Sequence, residues 1–190
     1  MGINLSKGGR VNLSKEAPAL NHMVVGLGWD ANESDTGEGF DLDASVFLVG
    51  SNGKTTTEKD FVYYNNLTST DGSVQHTGDN TTGEGDGDDE QVKLDLSKVG
   101  SDIQEVIFVV TIHEAQARNQ NFGQVSNSFI RIVDESNGSE ILKYELDEDY
   151  SIETAIEFGK LYRKDGSWRF QAVGTGFSAG LQGFVDKYMG

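Results

Sequence analysis

Val106-Ile107-Phe108-Val109-Val110-Thr111-Ile112 is the stretch that decides the fold. It is almost continuously apolar and β-branched, so it marks a central strand buried on both faces. Just upstream, Gln91 to Leu96 behaves differently: Val92, Leu94 and Leu96 alternate with Lys93 and Asp95. That period of two predicts a strand with one face in the core and one in water. Downstream, Glu114 to Asn121 predicts a single helical turn. Phe129–Val133 and Ile141–Leu146 flank Asn137-Gly138, and Ala155–Arg163 and Trp168–Val173 flank Asp165-Gly166. Each pair reads as a hairpin, because those dipeptides tolerate the left-handed turn that joins twisted strands. Leu181 to Met189 has helical spacing (Leu181, Phe184, Val185, Tyr188) and is expected to cap one edge.

Toward the N-terminus, Phe61–Tyr64, Ala44–Val49 and His22–Trp29 read as further strands, with turn signals at Asn52-Gly53 and Asp71-Gly72. The repeated Asn-Leu-Ser-Lys at 4–7 and 12–15, around Gly8-Gly9, predicts a small hairpin of Ile3–Ser6 with Val11–Ser14. Regular turn signals between short strands predict an all-β fold, an antiparallel β-sandwich with a short C-terminal helix. The 190 residues form one expected domain, 1–190.

Composition narrows the function classes. The formal charge is −16, from 31 acids against 15 Lys and Arg, which argues against nucleic acid as a partner. It equally disfavours an anionic membrane unless a cation bridges the two. No cysteine is present, so thiolate and disulfide chemistry are excluded. No apolar run approaches the ~20 residues of a membrane span, and no signal-peptide core stands at the N-terminus. A cytoplasmic location is the expectation.

The acidity peaks in Gly78-Asp79-Asn80-Thr81-Thr82-Gly83-Glu84-Gly85-Asp86-Gly87-Asp88-Asp89-Glu90, with six carboxylates and no base. A solvated loop is the plain reading of such a run. Two features favour a calcium site instead. The acids alternate with glycines, which permit sharp turning, and the run leads directly into a strand. Ca²⁺ takes six to eight oxygens from carboxylates, amides and backbone. An EF-hand does not explain the loop: with Asp79 and Glu90 at positions 1 and 12, the required glycine at position 6 is Glu84. In Asp41-Leu42-Asp43 an extended backbone would place both carboxylates on one face, about 7 Å apart. They could share a cation or simply be solvated at a loop-to-strand junction. Asp30 is equally ambiguous, and Asn65 and Asn66 offer amide oxygens or ordinary turn chemistry. Glu145, Asp147, Glu148, Asp149 and Glu153 read as a solvated strand end. His113-Glu114 reads as hydrogen-bonded rather than catalytic, and His22 and His76 lack metal-ligand spacing. No nucleophile or phosphate-loop motif is present, so no enzyme is expected.

Several motifs together resemble the TerD family of tellurium-resistance and general-stress proteins. They are Leu5-Ser6-Lys7-Gly8-Gly9, Gly26-Leu27-Gly28-Trp29-Asp30, Phe40-Asp41-Leu42-Asp43-Ala44-Ser45, Tyr64-Asn65-Asn66, the 78–90 acidic stretch, and Asn119-Gln120-Asn121-Phe122-Gly123-Gln124-Val125. The resemblance implies a cytoplasmic β-sandwich that binds two calcium ions close together, and it supplies no biochemical activity. Carried over by motif, the implied ligands are Asp30, Asp41, Asp43, Asn65, Asp79, Glu84, Asp86, Asp88, Asp89 and Glu90, with Leu42 giving its backbone carbonyl. Implied partners are other tellurium-resistance proteins at a membrane-associated complex, without nucleic acid and without direct membrane insertion. The function expected is a calcium-stabilised or calcium-responsive protein-interaction module. The alternative is a calcium-dependent membrane-surface module like a C2 domain, which needs exposed apolar or basic residues beside the site, and the 78–90 loop has none. A carboxylate-pair hydrolase is the third class.

Overall fold

The computed structural model describes residues 2–29, 42–55, 57–77, 88, 90–122, 125, 127–146, 153–178 and 180–189. In chain order its strands and helices are β1 (Ile3–Leu5), β2 (Arg10–Asn12), α1 (Leu13–Glu16), β3 (His22–Gly28), β4 (Leu42–Val49), β5 (Phe61–Val62), β6 (Val74–His76), β7 (Glu90–Asp95), β8 (Glu105–Ile112), α2 (Ala115–Arg118), β9 (Phe129–Asp134), β10 (Glu140–Glu145), β11 (Ala155–Lys164), β12 (Ser167–Phe177) and α3 (Gly180–Met189). They form two six-stranded sheets, ordered β1-β10-β9-β3-β7-β6 and β2-β12-β11-β8-β4-β5. All pairings within the sheets are antiparallel except β1 with β10.

Alternation builds the core. Met23, Val25 and Leu27 of β3, Val92 and Leu94 of β7, and Ile130 and Ile132 of β9 point inward from the first sheet. Leu42, Ala44, Val46 and Leu48 of β4 meet them from the second, with Val106, Phe108 and Val110 of β8. The other face of the second sheet is also covered. Phe47, Val49, Ile107, Val109 and Ala155 pack under Phe184 and Tyr188 of α3. This double cover is why β8 reads as an unbroken apolar run, and why β4 is buried at every position. Helix α3 therefore lies on a sheet face, not along an edge as expected. The 50–55 segment holds its last turn: Thr55 N–H donates to the Tyr188 carbonyl (2.8 Å) and Lys54 Nζ to the Lys187 carbonyl (2.6 Å). Those carbonyls have no partner within a helix, so an outside donor satisfies them.

The β9–β10 and β11–β12 hairpins form as expected. Asp165 (φ 52°) and Gly166 (φ 75°) are both left-handed, the conformation that a tight two-residue hairpin turn demands. The N-terminal repeat does not form a hairpin. β1 joins the first sheet beside β10, whereas β2 joins the second beside β12. The chain thus crosses between the layers at Gly8-Gly9, with Gly8 left-handed at φ 82°. The second copy of the repeat enters α1, whose N-terminus Asn12 caps by accepting from Lys15 N–H.

Candidate metal centre

The site forms at the sandwich edge where β6 and β7 of one sheet face β4 and β5 of the other. β5 pairs with β4 only at Val46 and Phe47, so among the described residues the start of β4 has no strand on that side. Glu90 fills the gap. As the first residue of β7 it shares the inward parity of Val92 and Leu94, and its Oε2 accepts the Ala44 N–H at 2.6 Å. His76 Nε2 lies 3.6 Å from the same oxygen, and both side chains are about 1% exposed. A carboxylate buried this deeply must be hydrogen-bonded to persist; here it bonds the backbone of the opposite sheet.

Asp43 adjoins that bond from the preceding residue. It is 6% exposed and pairs across the strand with Thr111. His113 Nδ1 stands 3.8 Å from Asp43 Oδ2. The Tyr64 ring meets the His113 ring edge-on with centroids 6.5 Å apart, which places the 63–67 turn beside Asp43. That turn closes through reciprocal hydrogen bonds between Tyr63 and Asn66, with the exposed Asn65 within it. Asn66 Nδ2 instead donates to the carbonyls of Phe61 and Lys59, as a turn residue does. Leu42 pairs with Ile112 in β4 and is buried.

Asp88 has different company. Its Oδ1 receives Arg131 Nε at 2.8 Å, and its Oδ2 receives Arg131 Nη2 at 3.1 Å and Gln91 Nε2 at 3.2 Å. The hydrogen bond from Arg131 to Asp88, only partly opposed by burial, holds the guanidinium above its ordinary pKa. Both oxygens are thus committed to this fork. Asp30, Asp41, Asp79, Glu84, Asp86 and Asp89 lie outside the described residues. So do Asp147, Glu148 and Asp149; Glu145 is exposed and paired with Lys143 at 3.1 Å. Among the described residues no three His, Asp or Glu side chains converge as a metal cluster. Those at the edge, Asp43 and Glu90 with the amide of Asn65, offer hard oxygen donors, which fit Ca²⁺ rather than a soft metal. Sequence reasoning missed His76 and Arg131. Both follow or precede their partners by many residues, and only the sheet register brings them together.

A TerD domain model matches residues 1–188. The chain belongs to the TerD family. It is 58% identical to the tellurium resistance protein TerD of Serratia marcescens over 188 residues, covering 99% of this chain and 97% of that one. It is 53% identical to general stress protein 16U of Bacillus subtilis (strain 168), at 99% and 97% coverage. In fold it is similar to a crystal structure of a homologue of telluride resistance protein (TerD) from Streptomyces coelicolor A3(2). The TM-score is 0.70 at 24% identity, covering 87% of this chain and 95% of that one. The chain is thus a member of a tellurium-resistance and stress-protein family. No helix among the described residues of this TerD-family chain is long and apolar enough to cross a membrane.

Proposed function

We propose that this TerD-family chain is a calcium-binding, non-enzymatic interaction module of the cytoplasm, whose partners are other tellurium-resistance proteins. The observation that carries the reading is the pair of buried carboxylates, Asp43 and Glu90, at one backbone step of β4, on the edge where the acidic segment joins β7. Two calcium ions would be held by Asp30, Asp41, Asp43, Asn65, Asp79, Glu84, Asp86, Asp89 and Glu90, with the Leu42 carbonyl. Asp88 is left out, because Arg131 and Gln91 already engage both its oxygens. Bound calcium supplies positive charge that offsets repulsion among the acids. A ligand at ~100 times its dissociation constant stabilises the folded state by about 2.7 kcal/mol. The neutralised edge then presents a different surface to a partner.

Calorimetric titration of metal-stripped protein with Ca²⁺ and with Mg²⁺ tests this. Saturable binding that prefers Ca²⁺ and weakens in Asp43→Asn is expected; no binding at millimolar Ca²⁺ would sink the reading. One observation favours the C2-like alternative. Tyr64 (42% exposed) and Leu67 (46%) are large hydrophobics open to water, and both belong to the turn beside Asp43. Calcium-dependent pelleting with anionic liposomes, lost in a Tyr64→Ser, Leu67→Ser double variant, would establish that alternative over the protein-partner reading.

A further inference from the structure

The acidic segment is tied down at both ends, and both ties lead to Gln91. At the N-terminal end, Thr77 N–H and Thr77 Oγ1 donate to the Gln91 carbonyl at 3.1 and 2.9 Å. At the C-terminal end, Gln91 Nε2 donates to Asp88, which also accepts the two-pronged Arg131 fork. Gly26, Gln91 and Arg131 are register partners across three adjacent strands. Their neighbours Val25, Leu27, Val92, Ile130 and Ile132 all point into the core, so this row faces outward. Asp88 therefore lies flat on the outer face of the first sheet, and Glu90, two residues later, reaches inward to Ala44.

Gly26 makes the arrangement possible. A Cβ at that position would collide with the Asp88 carboxylate itself. The Asp88 side chain is about 2% exposed even though Arg131 stays partly open to water. Arg131 also has Glu140 at 3.6 Å, so its charge is held from two sides.

We propose that Arg131 and Gly26 are positioning residues for the cation site: seated on Gly26, the Arg131–Asp88 fork fixes the end of the acidic segment so that Glu90 enters β7 facing inward. This rests on the calcium reading of the same edge. A segment whose two ends are already fixed loses less freedom when its oxygens gather around an ion. Partners that orient metal ligands without touching the metal typically change affinity by roughly ten- to a hundredfold.

The experiment compares the full-length wild type with Arg131→Gln, Asp88→Asn, their double variant and Gly26→Ala. Calcium affinity is read by calorimetry, and amide hydrogen exchange at residues 90–95 is read without calcium. Arg131→Gln and Asp88→Asn should each weaken Ca²⁺ binding about tenfold, and the double variant no further than either. Gly26→Ala, which keeps both charges, should show the same loss, and all four should speed exchange in the calcium-free protein. Unchanged or tighter Ca²⁺ binding in Arg131→Gln would overturn the proposal, because it would mean Asp88 freed from Arg131 serves the ion directly. Unchanged exchange in Arg131→Gln and Gly26→Ala would overturn it as well. If the wild type binds no Ca²⁺, the calcium reading falls, and the positioning role falls with it. Wild-type binding that the variants leave intact removes the inference alone.

Discussion

Glu90 closes the edge of β4 by accepting the Ala44 N–H, and we propose that it also binds calcium; two substitutions separate the two roles. Glu90→Ala removes the acceptor of the Ala44 N–H, leaving a buried donor at the edge of the second sheet. A buried polar group that loses its partner costs about 1–3 kcal/mol. The one buried methylene that is lost adds about 0.8 kcal/mol. Relief of the buried charge offsets part of this, so the expected loss is about 2 kcal/mol, in the lower half of the range. For a domain of this length each kcal/mol moves the Tm by roughly 2–4 °C, giving a drop of about 4–8 °C in calcium-free protein. Glu90→Gln keeps the side-chain volume and an acceptor oxygen, so its calcium-free stability should stay within about 1 kcal/mol of wild type. What it should lose is the rise in Tm on adding Ca²⁺. Differential scanning calorimetry with chelator and with millimolar Ca²⁺ reads both effects. A Glu90→Ala protein as stable as wild type without calcium would refute the structural half. A Glu90→Gln protein that gains as much Tm from Ca²⁺ as wild type would refute the ligand half.

Two further predictions concern the framework. Phe184→Ala removes a ring that is 1% exposed between α3 and the second sheet and packs edge-on against Phe177 at 4.8 Å; urea unfolding should show a loss of about 3–5 kcal/mol, and a loss under 1 kcal/mol would mean that α3 is not docked as described. Asp71 sets a pH dependence: burial pushes its carboxyl up, but hydrogen bonds from the Ser73 hydroxyl and N–H, the Gly100 N–H and the Ser69 hydroxyl outweigh that and hold it below 3.8. A depressed carboxyl stabilises fully above its unfolded pKa and loses that contribution as pH falls through the folded value. The stability advantage of wild type over Asp71→Asn should therefore be level above about pH 5 and shrink below about pH 4; urea midpoints across that range that show a constant or growing gap would contradict it.

Local chemistry made most of the strands legible. The run from Val106 to Ile112 announced a strand covered twice, and β8 is that strand, between the core and α3. Asn137-Gly138 and Asp165-Gly166 announced their hairpins because the turns require left-handed backbone, at Gly138 in the first and at both residues in the second. The N-terminal repeat misled for the converse reason. Each of its copies is locally able to form a strand, but which sheet it joins depends on the distant β10 and β12. The helical spacing of α3 was visible, yet its place on a face rather than an edge depends on Phe47, Phe61, Ile107 and Val109, which lie on three other strands. At the candidate site the carboxylates were visible as a cluster. Their partners Ala44, His76 and Arg131 were not, because register and not sequence distance selects them.

Asp88 and Glu90 show why a cluster of acids cannot be read as one set of ligands. In an extended chain, residues two apart point to the same side. Here Glu90 is the first residue in register with β3, opposite Leu27, and faces inward, while Asp88 lies over Gly26, the partner of the following residue Gln91. The Asp88 carboxylate therefore rests on the outer face of β3, whereas the Glu90 carboxylate enters between the sheets. The seat of that carboxylate needs room at position 26 and a cation to receive it. Gly26 and Arg131 meet those two conditions from adjacent strands. The glycine of Gly26-Leu27-Gly28-Trp29-Asp30 thus acquires a physical reason that has nothing to do with turning, since it sits mid-strand. It also divides the acidic stretch by position: Asp88 anchors the segment to the framework on the outer face, and Glu90, inside, closes the edge by accepting the Ala44 N–H.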